Sequence, residues 1–353
     1  MFEGMVHMSR NYITEVNDIN IGPLQLESGA TIPSVSLRYE RVGPVGAPVV
    51  LICHALTGNH VTIGNNEEPG WWSGLIGHRL AIDTTKYQVI TFNVLGGCNG
   101  STGPLSINPN NNRPYGKNFP NITIRDIVHA QYLALKRLQV DEVFAVVGGS
   151  LGGMQVLEWG LLYSNIVNRL IALAVTPTLS DYGIAYNYIS EQSIISDPAW
   201  NNGDYNSPSE IRGLEIARMI GMVTYRSAEL FHERFGRAES SDGFSVTSYL
   251  KYQGEKLASR FDPNSYLTLL QAMNSHDIGR DRGGWKEACK KYTCPILAIS
   301  YEYDLIYDPN SIAEFASHTP NATYHHVSTK FGHDGFLTEF EKWSWMVQQF
   351  LES

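Results

Sequence analysis

Four of the six residues from 148 to 153, in the stretch VVGGSLGGMQ, are glycines, and they surround a single serine, Ser150. Ordering glycine costs more backbone entropy than ordering any other residue, so such a cluster answers a steric need. Gly148, Ser150 and Gly152 form a G-x-S-x-G pattern. The apolar run at 143–147 reads as a buried strand and GGMQVLEWGLLY as a helix, which is the strand-turn-helix context that gives this pattern meaning. In so sharp a turn the serine backbone is strained, its Oγ is pushed off the end of a sheet, and flanking side chains would collide. The next amide, that of Leu151, opens a helix whose N-terminal dipole favours an anionic oxygen. A glycine-rich turn that merely packs helix on sheet fits the same ten residues, so the rest of the chain has to decide.

Short apolar runs at 49–56, 87–95, 143–147, 170–175 and 295–300 read as buried strands, with TYHHV at 323–327 as a last candidate. Between the second and third runs, TIRDIVHAQYLALKRL repeats Ile124, Ile127, Val128, Leu135 and Leu138 at helical spacing. Thr123 and Asp126 are placed there as a capping box. Strands alternating with helices predict a mostly parallel sheet with helices on both faces. After Val175 the alternation stops. From there to Pro295 only helical patterns appear, such as IRGLEIARMIGMV and SVTSYLKYQGEKLASR, separated by turns rich in Pro, Gly and Asn. The expected organisation is one α/β catalytic domain, residues 1–176 and 292–353, interrupted by a helical lid insertion at 177–291.

With 353 residues, 43% hydrophobic and 17% charged, the chain can bury a core of that size. A net charge of −9, with no long run of like charge, argues against nucleic acid or an anionic membrane as a partner. No apolar run approaches the ~20 residues of a membrane span, and MFEGMVHMSRNYI lacks the basic-then-apolar layout of a signal peptide, which predicts a cytoplasmic protein. Cys53, Cys98, Cys289 and Cys294 form no CxxC pair and no grouping with histidine. Reduced thiols are expected, not a disulfide scaffold or a metal site.

A nucleophilic serine needs a base and an orienting acid, which on this kind of sheet follow in the order Ser, Asp or Glu, His. Asp304, in ISYEYDLIYDP, comes directly after the strand at 295–300, with Glu302 and Asp308 as nearby competitors. His333, in TKFGHDGFLTEF, lies between the last strand and a terminal helix, behind a glycine that lets the loop turn. Taken singly, a loop histidine is more often a surface residue and a loop aspartate more often a cap. Three matches in the right order favour a triad of Ser150, Asp304 and His333. HALTG, after the first strand, offers a second oxyanion donor, the amide of Leu56 or Thr57, to join that of Leu151. His54 in the same loop reads as a packed, hydrogen-bonding residue.

HALTGN, GWWSGLIG, NVLGGCNGSTGP, FPNITIRDIVHAQ, GGSLGGMQ, IARMIGMVTYRS and GHDGFLTEF together resemble the homoserine O-acetyltransferase family, acyltransferases of the α/β-hydrolase fold. The likeness runs over about residues 12–350. It implies transfer of an acetyl group from acetyl-CoA to the side-chain hydroxyl of L-homoserine, on the way to methionine, through an acetyl-serine. Acetyl-CoA would be a co-substrate, with no bound cofactor or metal. The resemblance carries Arg218 and Asp334 over as the residues that hold the amino acid, and Tyr225 as a substrate contact. Without it Arg218 reads as a solvated helix residue, Tyr225 as a core aromatic and Asp334 as a helix cap. The chain departs from the family where His78 and Arg79 stand in place of an expected glycine and proline. Serine O-acetyltransferase, homoserine O-succinyltransferase and deacetylcephalosporin acetyltransferase share these motifs, and an esterase shares the triad, so donor and acceptor stay open at this level. Helices inserted over an already covered sheet leave apolar faces, which predicts a two-fold homodimer.

Overall fold

The computed structural model describes residues 12–65, 67–241 and 243–353. Eight strands build the main sheet: β1 (Tyr12–Gln25), β2 (Thr31–Pro44), β3 (Val49–Cys53), β4 (Gln88–Phe92), β5 (Ala145–Gly149), β6 (Leu170–Leu173), β7 (Ile296–Tyr301) and β8 (Ala322–Val327). Their spatial order is β1-β2-β4-β3-β5-β6-β7-β8. β2 pairs antiparallel with β1 and β4, and every other neighbour is parallel. Every residue of β3 to β7 is buried, as expected for strands covered on both faces, and this is why they stand out in the sequence as continuous apolar runs.

The N-terminal hairpin is not among the expected strands. β2 buries Ile32, Val35, Leu37 and Tyr39 but leaves several intervening residues exposed or half-buried, so its apolar signal is diluted. β5 also runs two residues further than the apolar stretch, because Gly148 and Gly149 still pair with Cys53 of β3 and Leu173 of β6.

Helix α1 (Ile124–Arg137) begins with the expected capping box, Thr123 with Asp126. It packs with α2 (Leu151–Leu162), whose first ten residues are all buried. On the other face of the sheet Trp72, Trp343 and Val347 join a second apolar cluster. Each such fully buried side chain contributes roughly 1.5–3 kcal/mol.

Between β6 and β7 run α3 (Asp181–Ile195), α4 (Arg212–Tyr225), α5 (Ala228–Phe235), α6 (Ser245–Ala258), α7 (Pro263–Asn274) and α8 (Trp285–Cys289). Among the described residues the strands of this stretch are a two-residue pair, Glu239–Ser240 with Gly243–Phe244. The two ends of the stretch meet: the Leu179 amide donates to the His276 carbonyl and the Ile278 amide to that of Pro177. Just beyond, buried Glu158 of α2 accepts from Arg282 at 2.7 Å and Arg125 at 3.2 Å, which anchors the returning chain to α1 and α2. The chain closes with α9 (Pro309–His318) and α10 (Phe340–Glu352).

The chain goes from β3 to β4 on one side and then to β5 on the other. That reversal leaves a crevice outside the carboxyl ends of β3 and β5, the place where such sheets bind ligands. Ser150 lies at that end of β5, and the HALTG loop at that end of β3.

Candidate active site

Ser150 joins β5 to α2 with φ +58° and ψ −125°, a conformation that costs a non-glycine residue about 1–3 kcal/mol. Its amide donates to the Leu173 carbonyl at 3.1 Å, so the neighbouring strand β6 helps to hold the strain. A Cβ on Gly152 would lie 2.0 Å from the Cys53 carbonyl oxygen, and one on Gly148 2.8 Å from that same atom. The glycines are thus required by backbone packed on backbone, between the elbow and the end of β3.

Asp304 follows β7 and His333 follows β8, so both reach the crevice from strand ends. The His333 Nδ1 hydrogen donates to Asp304 Oδ2 at 2.8 Å. Since a carboxylate only accepts, this bond leaves Nε2 as the accepting nitrogen of the neutral ring. The other oxygen, Asp304 Oδ1, accepts the amides of Ile306 at 2.9 Å and Tyr307 at 3.0 Å. Gly332, the glycine expected to let the loop turn ahead of His333, adopts a left-handed φ of +58°. Aromatic rings hold the imidazole: Tyr307 at 5.1 Å, Phe336 at 5.3 Å and Tyr225 at 5.6 Å between centroids. The competing acids are engaged elsewhere, Asp308 capping α9 and Glu302 accepting from the Ser328 hydroxyl.

Leu151 is the first residue of α2, and Leu56 lines a small cavity with Ser150. The loop that carries Leu56 is fixed by buried His54. His54 Nδ1 donates to the Ala55 carbonyl at 2.8 Å, and Nε2 accepts the Val94 amide at 3.0 Å. Burial pushes the His54 pKa down to about 4, so the ring is neutral near pH 7. Arg260, just past α6, adds a bond from Nη1 to the Thr57 carbonyl at 3.0 Å.

The cavity, about 30 Å³, is roofed by α3, α4 and α7 and has room for about two waters. Tyr225 lines it. Burial raises the Tyr225 pKa, Arg218 pulls it down and Asp334 pushes it up, so the phenol lies in the field of both charges. The Arg218 guanidinium sits 5.8 Å over the Tyr225 ring and makes no ion pair among the described residues. Asp334 is engaged: Arg226 Nε donates to its Oδ2 at 2.9 Å. Arg226 went unnoticed in the sequence although it lies beside Tyr225, because nothing in the local pattern ties it to a residue more than a hundred positions later. Tyr307 was missed for the same reason.

This fold, with a strained serine at the end of β5 and a histidine hydrogen-bonded to an aspartate beyond β7 and β8, belongs to the class of α/β-hydrolase enzymes. Residues 48–340 match the family model described as "alpha/beta hydrolase fold". Within that class the chain is 40% identical to the homoserine O-acetyltransferase of Carboxydothermus hydrogenoformans, across 96% of each chain. It resembles the crystal structure of homoserine O-acetyltransferase from Staphylococcus aureus with a TM-score of 0.83 and 36% identity, covering 97% of this chain and 96% of that one. The structure of an acetylester hydrolase from Corynebacterium glutamicum is similar too, with a TM-score of 0.85 and 25% identity over 96% of both chains. The chain belongs to the homoserine O-acetyltransferase family.

Proposed function

We propose that this acyltransferase moves an acetyl group from acetyl-CoA to the side-chain hydroxyl of L-homoserine, through an acetyl ester on Ser150. The observation that carries the reading is the Asp304–His333 hydrogen bond beside a strained serine at a strand end, in a chain about 40% identical to enzymes of that name. In the first half-reaction Ser150 Oγ gives its proton to His333 Nε2 and bonds the thioester carbon. The C–S bond breaks and the thiolate takes the proton from Nε2. In the second, the homoserine hydroxyl gives its proton to Nε2 and bonds the acetyl carbon. The Oγ–C bond breaks and Oγ recovers the proton. The amides of Leu56 and Leu151 face the oxyanion in both, and Asp304 holds the tautomer and balances the imidazolium.

Homoserine is a zwitterion, so its pocket must replace the hydration of two charges. Arg218 faces the carboxylate and Asp334 the ammonium. Asp334 adjoins His333, which would set the acceptor hydroxyl near the base. The roofed cavity supports transfer over hydrolysis, because a closed site keeps bulk water from the acyl-enzyme. Residues 177–291 would form the lid that does this. Exposed Tyr182, Tyr188 and Ile189 on α3, with Ile216 and Val223 on α4, support a homodimer contact through the same helices. Sedimentation at micromolar concentration should show about twice the 39.4 kDa chain mass; a monomer would remove the dimer. No helix among the described residues is long and apolar enough to cross a membrane, and a cytoplasmic enzyme is proposed on the biosynthetic role. The decisive assay crosses acetyl-CoA and succinyl-CoA with L-homoserine, L-serine and water while following thiol release. Preference for any pair other than acetyl-CoA with homoserine would overturn the substrate assignment.

A further inference from the structure

Tyr307 is fully buried, and among the described residues its hydroxyl makes no well-formed hydrogen bond, Ser150 being the side chain that it feels as a hydrogen-bonding neighbour. A buried hydroxyl without a partner costs about 1–3 kcal/mol, and most side chains in such a place are held for a reason. Tyr307 lines the same small cavity as Ser150, and its ring lies nearly parallel to the His333 imidazole, 5.1 Å away at 28°. One carboxylate organises both rings. Asp304 Oδ1 accepts the Tyr307 amide at 3.0 Å while Asp304 Oδ2 accepts from His333 Nδ1 at 2.8 Å. Burial raises the Tyr307 pKa well out of the physiological range, and the Ser150 hydroxyl pulls it partly back, so the phenol is a neutral donor next to the nucleophile. Tyr301 offers a contrast. Its hydroxyl is also buried and unpartnered, but its ring packs edge-on against Trp343 in the core on the far face of the sheet and does not line the cavity.

We infer that Tyr307 is a further catalytic residue, its hydroxyl donating a hydrogen bond to Ser150 Oγ in the tetrahedral states of both half-reactions. The inference rests on the acetyl-serine reading above. Oγ forms its bond to carbon in the first half-reaction and breaks it in the second, while His333 carries the proton each way and Tyr307 keeps its own. A donor aimed at Oγ lowers the charge that Oγ bears on entering and on leaving the tetrahedral state, so the same interaction serves both steps. A residue that contacts only the acceptor would matter in the second step alone.

The test is Tyr307→Phe, which keeps the ring on His333 and removes one oxygen atom, with Tyr301→Phe as the matched deletion in the core. Acetylation of Ser150 by acetyl-CoA and transfer to homoserine are measured separately by rapid mixing, alongside thermal melting. Tyr307→Phe should melt close to the parent, since Ser150 is the neighbour its hydroxyl feels and no well-formed hydrogen bond is lost, and should slow both half-reactions by about the same factor, about tenfold. Tyr301→Phe should leave both rates unchanged. Rates within twofold of the parent, slowing confined to one half-reaction, or equal slowing in Tyr301→Phe would each overturn the role. A parent enzyme that never acetylates Ser150 would instead overturn the reading beneath it.

Discussion

Every residue of β3 to β7 is buried, whereas α3 buries only Gly183, Ser190 and Ile194 of its 15 residues and leaves Tyr188 58% exposed. The sheet is packed to a single arrangement, and the proposed triad, whose chemistry would need sub-ångström placement, grows from its strand ends: Ser150 after β5, Asp304 after β7, His333 after β8. The helices between β6 and β7 have less core of their own and supply walls of the cavity, Tyr225 of α4 among them. The division separates two tasks. Under the proposed function the strand ends would carry the acyl chemistry and the helical stretch what selects the acceptor.

If that division holds, damage at the strand ends stops both half-reactions. Ser150→Ala should abolish thiol release and the adduct of about 42 Da that acetylation leaves on the serine. Asp304→Asn should lower turnover about 10³–10⁴-fold while substrate still binds, through the wrong histidine tautomer. An acetyl adduct found on a cysteine by mass spectrometry would break the comparison at its root.

Damage to the acceptor charges should show a different signature. Arg218→Ala and Asp334→Ala should acetylate Ser150 at near the parental rate and transfer to homoserine at least about a hundredfold more slowly, since each leaves one charge of the zwitterion unpaired. Asp334 is the sharper case, because its pairing with Arg226 ties the loop of His333 to the residue that follows α4. Should Asp334→Ala also slow acetylation tenfold or more in single-turnover measurements, the two tasks are not separable at this point.

The sheet side should also carry a pH sensitivity. His54 is held neutral, with its pKa pushed down to about 4 from 6.5 by burial, so the unfolded chain binds the proton first as pH falls. Its contribution is fully present above about pH 6.5 and is lost progressively toward pH 4, amounting to about 3 kcal/mol. His60 is depressed in the same way and adds to the slope. Denaturant melts from pH 7 to pH 4 should show this loss, and His54→Asn, which does not titrate, should flatten part of it. The smallest effect lies at Arg79, which occupies φ +59° in the pair His78–Arg79 that stands in place of an expected glycine and proline. Arg79→Gly should stabilise the fold by about 1 kcal/mol in a urea melt, without changing either half-reaction.

The central strands were legible because residues buried on both faces must be apolar without a break, and the helix caps because Thr123 and Asp126 act within one turn. β1 and β2 were not, since only part of each faces the core and the pairing that stabilises them joins residues such as Ile19 and Leu37. The order of Ser150, Asp304 and His333 follows from the topology, so the sequence alone could point to all three. The need for glycine at 148 and 152 was legible as well, though not its cause, the Cys53 carbonyl, which lies about a hundred residues earlier.

What the sequence determined by itself was therefore local or periodic: the elbow, the alternation of strand and helix, the interruption after Val175, and motifs specific enough to mark a family. What the tertiary structure alone decided was pairing at a distance. It chose Asp304 over Glu302 and Asp308, set Arg226 against Asp334, left Arg218 without an acid among the described residues, and turned Tyr307 toward the cavity of Ser150. The physical reason is that hydrogen bonds and ion pairs act over a few ångströms, and which groups come that close is set by how the layers pack, a property that no short window of residues contains.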